Sequence, residues 1–175
     1  CSLFQQAFRH MASASISRLV DGYEVHIVGG HAELPESVSI VGDLVFSDCT
    51  SLTSGTIPSS VTEIGKGAFF RCSSLTSVSI PPSVAEIGDS TFYDCTALTS
   101  VTIPSLVTQI GGSAFSKCSS LTSVAIPSSV TEIGGYAFKG METRKVGGLE
   151  QLQSLYTGSR ARGSLYILAC DVGER

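Results

Sequence analysis

The length, composition and charge of this chain exclude several classes of protein. It has 175 residues, of which 42% are hydrophobic and 15% are charged, and this balance favours a buried core over disorder. Its net charge of −4 lacks the basic character of a general nucleic-acid binder, so we expect no nucleic-acid partner. No apolar run approaches the length of a transmembrane span, and no signal peptide is visible.

The N-terminal flank, residues 1–28, does not follow the pattern that organises the rest of the chain. It begins with Cys1 instead of Met, which indicates a fragment or a processed product; a mature bacterial lipoprotein also begins with Cys. YEVHIV, at residues 23–28, alternates in polarity and predicts a strand. AFRHM, at residues 7–11, is similar to AFKGM at residues 137–141, so the flank is predicted to be a cap or a degraded repeat.

Residues 29–143 consist of a 23-residue unit repeated without gaps. Its consensus is L-T-S-V-x-I-P-x-x-V-x-x-I-G-x-x-A-F-x-x-C-x-x, and the first copy is degenerate. A repeat of this length indicates a solenoid, in which each unit buries its apolar side chains against the next. The sequence therefore predicts five units, at residues 29–51, 52–74, 75–97, 98–120 and 121–143.

Each unit predicts a strand, a second short segment and a turn. Val78 and Ile80 alternate as in a strand, and Pro81 ends that strand because proline has no N–H to donate. SVAEIG, at residues 83–88, predicts an extended segment or a turn, and the motif A-F-x-x-C predicts a single helical or 3₁₀ turn. One glycine in each unit is expected to require a positive φ: Gly65, Gly88, Gly111 and Gly134.

The segment after the repeats, residues 144–175, is predicted to be a divergent C-terminal cap or tail. A solenoid must cover its last apolar rung, which favours a cap. The charge also changes here. Residues 29–138 carry three basic and nine acidic side chains, whereas residues 139–175 carry six basic and four acidic ones.

Stacking of the units turns each repeated position into a ladder of similar side chains, with rungs about 4.8 Å apart. Two ladders are predicted to be structural. The phenylalanine ladder comprises Phe46, Phe69, Phe92, Phe115 and Phe138, and the cysteine ladder comprises Cys49, Cys72, Cys95 and Cys118.

The units resemble the BspA-like class of leucine-rich repeat, and the stretch LTSVTIPSLVTQIGGSAFSKC carries the resemblance. This resemblance implies a right-handed leucine-rich-repeat solenoid with a parallel β-sheet on its concave side and short extended and 3₁₀ or helical turns on its convex side. It also implies a non-catalytic role in binding or adhesion, at the cell surface or in a secreted protein. The commoner leucine-rich repeats carry an Asn before the strand, and this chain has no Asn.

The cysteine ladder fits a structural role better than a chemical one. Parallel Cβ vectors would leave neighbouring Cβ atoms about 4.8 Å apart, whereas disulfides prefer about 3.8 Å. Ligands placed one to a rung form a line, whereas zinc requires a tetrahedron. No base or orienting group recurs beside the cysteines to make a nucleophile. We therefore expect buried, inert thiols.

No other pattern in the sequence indicates catalysis, a metal or a cofactor. Ser90 lies in a Gly-Asp-Ser block, but the equivalent blocks of the other units lack it and no triad partners surround it. His26 and His31 are expected to be surface or capping residues. Alternating charges at one repeat position, such as Arg71 and Asp94, indicate weak surface pairs and not acid–base pairs.

The outward residues of the predicted concave strands form a small, uncharged surface rich in hydroxyl groups. They are the candidate binding residues, although aromatic or Arg anchors are missing: Ser54, Thr56, Ser77, Ser79, Ser100, Thr102 and Ser123. We predict a module that binds a protein or a glycan through this face. The alternatives are a structural spacer within a longer array and, less favoured, a surface that recognises ice or a mineral.

Overall fold

The computed structural model describes residues 16–140 and the short strand 146–147. Within these residues it contains thirteen strands and no helix. The strands are β1 (Ile16–Val20), β2 (Tyr23–Val28), β3 (His31–Glu33), β4 (Ile40–Val41), β5 (Ser54–Thr56), β6 (Glu63–Ile64), β7 (Ser77–Ser79), β8 (Glu86–Ile87), β9 (Ser100–Thr102), β10 (Gln109–Ile110), β11 (Val124–Ala125), β12 (Glu132–Ile133) and β13 (Val146–Gly147).

The strands form a solenoid, which confirms the predicted fold. One sheet, here called the concave sheet, has the order β1-β2-β3-β5-β7-β9, and a second sheet has the order β12-β10-β8-β6-β4. From β3 onward the neighbours are parallel, and partners such as Val78 and Val101 lie 23 residues apart. The antiparallel hairpin β1–β2 extends the concave sheet at its N-terminal edge.

Parallel pairing continues into the segment predicted as a C-terminal cap. Strand β13 pairs with β11 in parallel, with Val124 opposite Val146. The remaining predictions for residues 144–175, and those for the AFRHM motif and Cys1, lie outside the described residues.

The core consists of ladders of apolar side chains that run along the solenoid. Phe92 is fully buried, and its ring stacks on those of Phe69 and Phe115 with both centroid distances at 5.3 Å. The stack continues outward to Phe46 and to Phe138, and the last of these is only partly buried. Regular inward positions thus hold one rung against the next by burial and by offset ring contacts.

The repeated glycines are required for a different reason from the one expected from the sequence. Gly65, Gly88, Gly111 and Gly134 do not have positive φ angles, so that expectation is wrong. Instead, each one packs against the backbone of the preceding rung. A Cβ on Gly111 would lie 2.5 Å from the amide nitrogen of Asp89, which leaves no room for a side chain.

Residues with a left-handed backbone conformation lie two and six positions after each of these glycines. In one unit these positions are Ser90 and Asp94, with φ angles of 55° and 60°. Most residues in these positions are not glycine, although left-handed backbone is unfavourable for other L-residues. The regular hydrogen bonding of the turns to their neighbours over-determines this conformation.

The A-F-x-x-C segments form tight turns, which corrects the expectation of a helical or 3₁₀ turn. The Phe70 N–H donates to the Gly67 carbonyl at 2.9 Å, and the Cys72 N–H donates to the Phe69 carbonyl at 3.2 Å. Between them, the Arg71 N–H donates across to the carbonyl of Tyr93 on the next rung at 2.8 Å. Because Arg71 is left-handed, with a φ of 57°, the turn does not continue into a helix.

Candidate functional site

The predicted binding residues lie in register along the concave sheet. Ser54, Ser77 and Ser100 are successive partners in one ladder, and Thr56, Ser79 and Thr102 form the second. Their side chains alternate with inward residues such as Val78, which is only 7% exposed. Ser123 is exposed at the same repeat position on the next rung, just before β11. We refer to the seven residues together as the hydroxyl face.

A shallow groove runs over this face. Its volume is about 380 Å³, and it crosses strands β3, β5, β7 and β9. Serine and threonine side chains of the hydroxyl face line it together with His31 and the small residue Gly55. The groove is therefore polar, neutral along most of its length and accessible from solvent.

His31 belongs to the groove, although the sequence predicted only a surface or capping role. It is the β3 partner of Ser54, and its Nδ1 lies 2.8 Å from the Ser54 Oγ. Its Nε2 lies 3.4 Å from the Thr56 Oγ1. Glu33 occupies the second ladder opposite Thr56. The predicted bounds of the first unit, residues 29–51, already align these two residues with the hydroxyl ladders, but His31 and Glu33 break the run of hydroxyl residues and were therefore not counted with it.

The threonines beside the hydroxyl face are engaged in holding the rungs together. The Thr76 Oγ1 donates to the carbonyl of Thr53 at 3.0 Å, and the Thr99 Oγ1 donates to that of Thr76 at 3.1 Å. The Thr122 hydroxyl repeats the contact. These hydroxyls satisfy backbone acceptors within the solenoid, and so they are less available to a ligand than the serines of the hydroxyl face.

All four ladder cysteines are buried free thiols. The Cys95 Sγ donates to the carbonyl of Phe69, 26 residues earlier, at 3.1 Å, and Cys72 and Cys118 make the same contact with their own preceding rungs. Burial raises the pKa of Cys72 and of Cys118 to about 12 and raises that of Cys95 further. Thiols with raised pKa values are poor nucleophiles at neutral pH.

The charged ladders lie on the turns, away from the groove. The Arg71 Nε lies 4.0 Å from the Asp94 Oδ2, and the Lys66 Nζ lies 3.9 Å from a carboxylate oxygen of Asp89. The Lys117 ammonium lies 5.0 Å from the centroid of the Tyr93 ring. These are exposed contacts between neighbouring rungs, and each contributes at most about 1 kcal/mol.

Among residues 16–140 and 146–147, no three His, Cys, Asp or Glu side chains are grouped so that they could bind a metal ion. The same part of the chain contains no helix of the length and apolar character needed to cross a bilayer.

Comparison with solved structures identifies several bacterial leucine-rich repeat proteins with this fold. The T. pallidum leucine-rich repeat protein is 36% identical, with a TM-score of 0.61 over 63% of this chain and 54% of that one. A leucine-rich repeat protein from Bacteroides ovatus is 30% identical, with a TM-score of 0.63 over 76% of this chain and 39% of that one. A leucine-rich cell surface protein from Faecalibacterium prausnitzii is 27% identical, with a TM-score of 0.65 over 90% and 43%.

The chain thus spans about half or less of the length of these structures. No curated protein matches it. Residues 30–145 match the model of the BspA-type leucine-rich repeat region in six copies. Because this match covers well over half of the chain, and the solenoid has the 23-residue spacing of the repeat, the chain belongs to the BspA-type leucine-rich repeat family.

Proposed function

We propose that this chain is a non-catalytic binding module that contacts a protein or glycan partner through the hydroxyl face. The groove of about 380 Å³ supports this proposal, because it is a concave, solvent-accessible surface that the packing of the core does not require. Many hydroxyl groups at a regular spacing favour a contact that is weak at each residue and multivalent overall.

We also propose that this chain acts outside the cell. The F. prausnitzii relative is described as a cell surface protein, and adhesion through a repeat array would use such a location. The alternative function is a structural spacer within a longer array. The inter-rung hydrogen bonds of Thr76 and Thr99 favour it, because they show hydroxyls that serve the solenoid itself. Recognition of ice or a mineral is a third use of a regular hydroxyl surface.

Array binding tests the proposal. The purified chain is applied to arrays of extracellular proteins and of glycans, and each positive contact is repeated with Ser77→Gln/Ser100→Gln, which fills the groove without adding charge. The matched control is Ser59→Gln/Ser105→Gln, which makes the same change at one repeat position on the exposed turns of units 52–74 and 98–120. We expect the first variant to lose binding at least about tenfold and the control to stay within about twofold.

The outcomes separate the three functions. Binding that survives the groove variant would move the site away from the hydroxyl face. If neither array nor pull-down yields a partner, the spacer function is supported. Ice recognition is supported if the wild-type chain shows thermal hysteresis and the groove variant does not.

A further inference from the structure

We propose that the N-terminal end of the concave sheet is the strongest part of the binding surface and that it docks a basic segment of a protein partner. This inference rests on the proposed function and selects a protein over a glycan. It is based on the outward side chains of β2 and β3, which differ in kind from the hydroxyl face beside them.

The hairpin continues the concave surface beyond the first repeat. On β2, Val25 and Ile27 are buried, so the residues that alternate with them face outward. Ile27 pairs with the inward residue Ala32, and Val28 pairs with the outward residue His31. The outward side of β2 is therefore the same side of the sheet as the hydroxyl face.

Two exposed apolar side chains lie on this outward side. Val28 is 60% exposed and lies across from His31. Leu19 is 69% exposed and pairs with Glu24, which is also outward. These aliphatic side chains are not the aromatic or Arg residues typical of interface anchors, but they add exposed apolar area that the hydroxyl face lacks.

The charge at this end is negative. Glu24 and Glu33 are both exposed on the outward side, whereas the hydroxyl face itself carries no charge. Arg18, the basic residue of the described hairpin, alternates with Leu19 and pairs with the buried Val25. Arg18 therefore belongs to the core side of the hairpin and does not offset the two carboxylates. The exposed imidazole of His26 does share their side, because it lies two residues from Glu24 on β2.

Two carboxylates beside exposed aliphatic side chains match a segment that presents Lys or Arg next to an aliphatic residue. Charge complementarity of this kind directs the encounter and selects the partner. A neutral glycan could donate hydroxyl hydrogen bonds to these exposed carboxylates but would offer them no opposite charge. His31 lies where the hairpin meets the hydroxyl face, and its Nδ1 lies 2.8 Å from the Ser54 Oγ. A bound segment can thus continue from the hairpin into the groove.

A peptide array tests the inference directly. The probes are synthetic twelve-residue peptides that are identical except at the variable pairs, which are Arg–Leu, Gln–Leu or Glu–Leu. The variant Glu24→Gln/Glu33→Gln removes the two outward carboxylates. The control Glu86→Gln/Glu132→Gln removes two exposed carboxylates from the second sheet, so that the change in net charge is identical.

We expect the Arg–Leu peptides to bind the wild-type chain best and to lose about tenfold in affinity with the hairpin variant. The control variant should change affinity by less than about twofold, and about 0.5 M salt should weaken binding to the wild-type chain. The Leu19→Ser variant should also weaken binding, because it removes an aliphatic contact at a site exposed enough to leave folding unaffected.

Three results would overturn the inference. They are an absence of peptide binding, equal binding of the three peptide classes, and equal losses in the hairpin and control variants. A glycan partner that tolerates Glu24→Gln/Glu33→Gln but not Ser77→Gln/Ser100→Gln would overturn it as well, while leaving the proposed function intact. Far-UV circular dichroism of each variant confirms that the solenoid is folded.

Discussion

The close approach of successive rungs at the repeated glycines predicts a large loss of stability in Gly111→Ala. The new Cβ would lie 2.5 Å from the Asp89 nitrogen, 2.6 Å from the Gly88 carbonyl carbon and 2.8 Å from the Asp89 Cα. An ordinary contact needs 3.4–4 Å, and all three of these atoms are backbone. No side-chain rotation can relieve the overlap, so the rungs must separate locally.

The magnitude follows from two contributions. Overpacking of this kind typically costs about 1–3 kcal/mol. Separation of the rungs would also stretch the hydrogen bond from the Gly111 N–H to the Ile87 carbonyl, 2.7 Å long, and a typical bond of this type contributes about 1 kcal/mol. We therefore expect Gly111→Ala to lower the free energy of unfolding by about 2–4 kcal/mol.

Gly135→Ala is the matched control. No heavy atom would lie within 4 Å of its Cβ, and its φ is not positive. Alanine should leave stability unchanged or raise it by about 0.4–1 kcal/mol, since it restricts the unfolded chain. Urea unfolding followed by far-UV circular dichroism gives both values. Equal midpoints for the two variants would refute the reasoning, because they would mean that the rungs do not approach closely at Gly111.

Two further predictions concern the hydrogen bonds and the thiols. Ser83 and Ser129 donate to carbonyls of the preceding rung, whereas Leu106 holds the equivalent position and is 59% exposed. Leu106→Ser should thus raise the free energy of unfolding by about 0.5–1.5 kcal/mol in urea, and an unchanged midpoint would contradict this. Burial raises the pKa of Cys118 from 9.0 to about 12, so unfolded thiols ionise first and stability falls as the pH rises from 9 toward 12. The loss between pH 8 and pH 10, about 1.4 kcal/mol per thiol, should shrink in Cys118→Ala; an equal loss in both proteins would contradict it.

The fold could be predicted from the sequence because each repeated residue has one role in every unit. Phe92 and its equivalents recur every 23 residues, and an apolar side chain at such an interval can be buried only by stacking. The same repetition indicates that a glycine is required at position 88, but it does not give the physical reason. Positive φ and close approach both select glycine, and only the position of the preceding rung distinguishes them.

The turn conformation and the N-terminal end of the concave sheet were harder to predict from the sequence than the fold. The left-handed residues include Ser90, Arg71 and Tyr136, which share no chemical property that marks such a conformation. Inter-rung hydrogen bonds impose it, and these arise only after stacking. The predicted register of unit 29–51 already aligns His31 with Ser54, 23 residues later, but a histidine at a position that holds serine in the regular units gave no signal that its side chain joins their surface.

Stacking also restricts which side chains can occupy the middle rungs of a ladder. Neighbouring rungs place equivalent side chains about 5 Å apart, where like charges destabilise one another. Serine and phenylalanine tolerate copies of themselves at this distance, and the charged ladder on the turns alternates in sign from Arg71 to Asp94. A carboxylate or imidazole for ligand binding is less costly on an end rung, where it has a different neighbour. Glu33 and His31 occupy such a rung, with Thr56 and Ser54 as their ladder neighbours. The cost of like-charged neighbours is small at an exposed surface, since Glu63 and Glu86 lie on adjacent strands of the second sheet. Stacking therefore favours charged recognition at the end of the hydroxyl face without forbidding it in the middle.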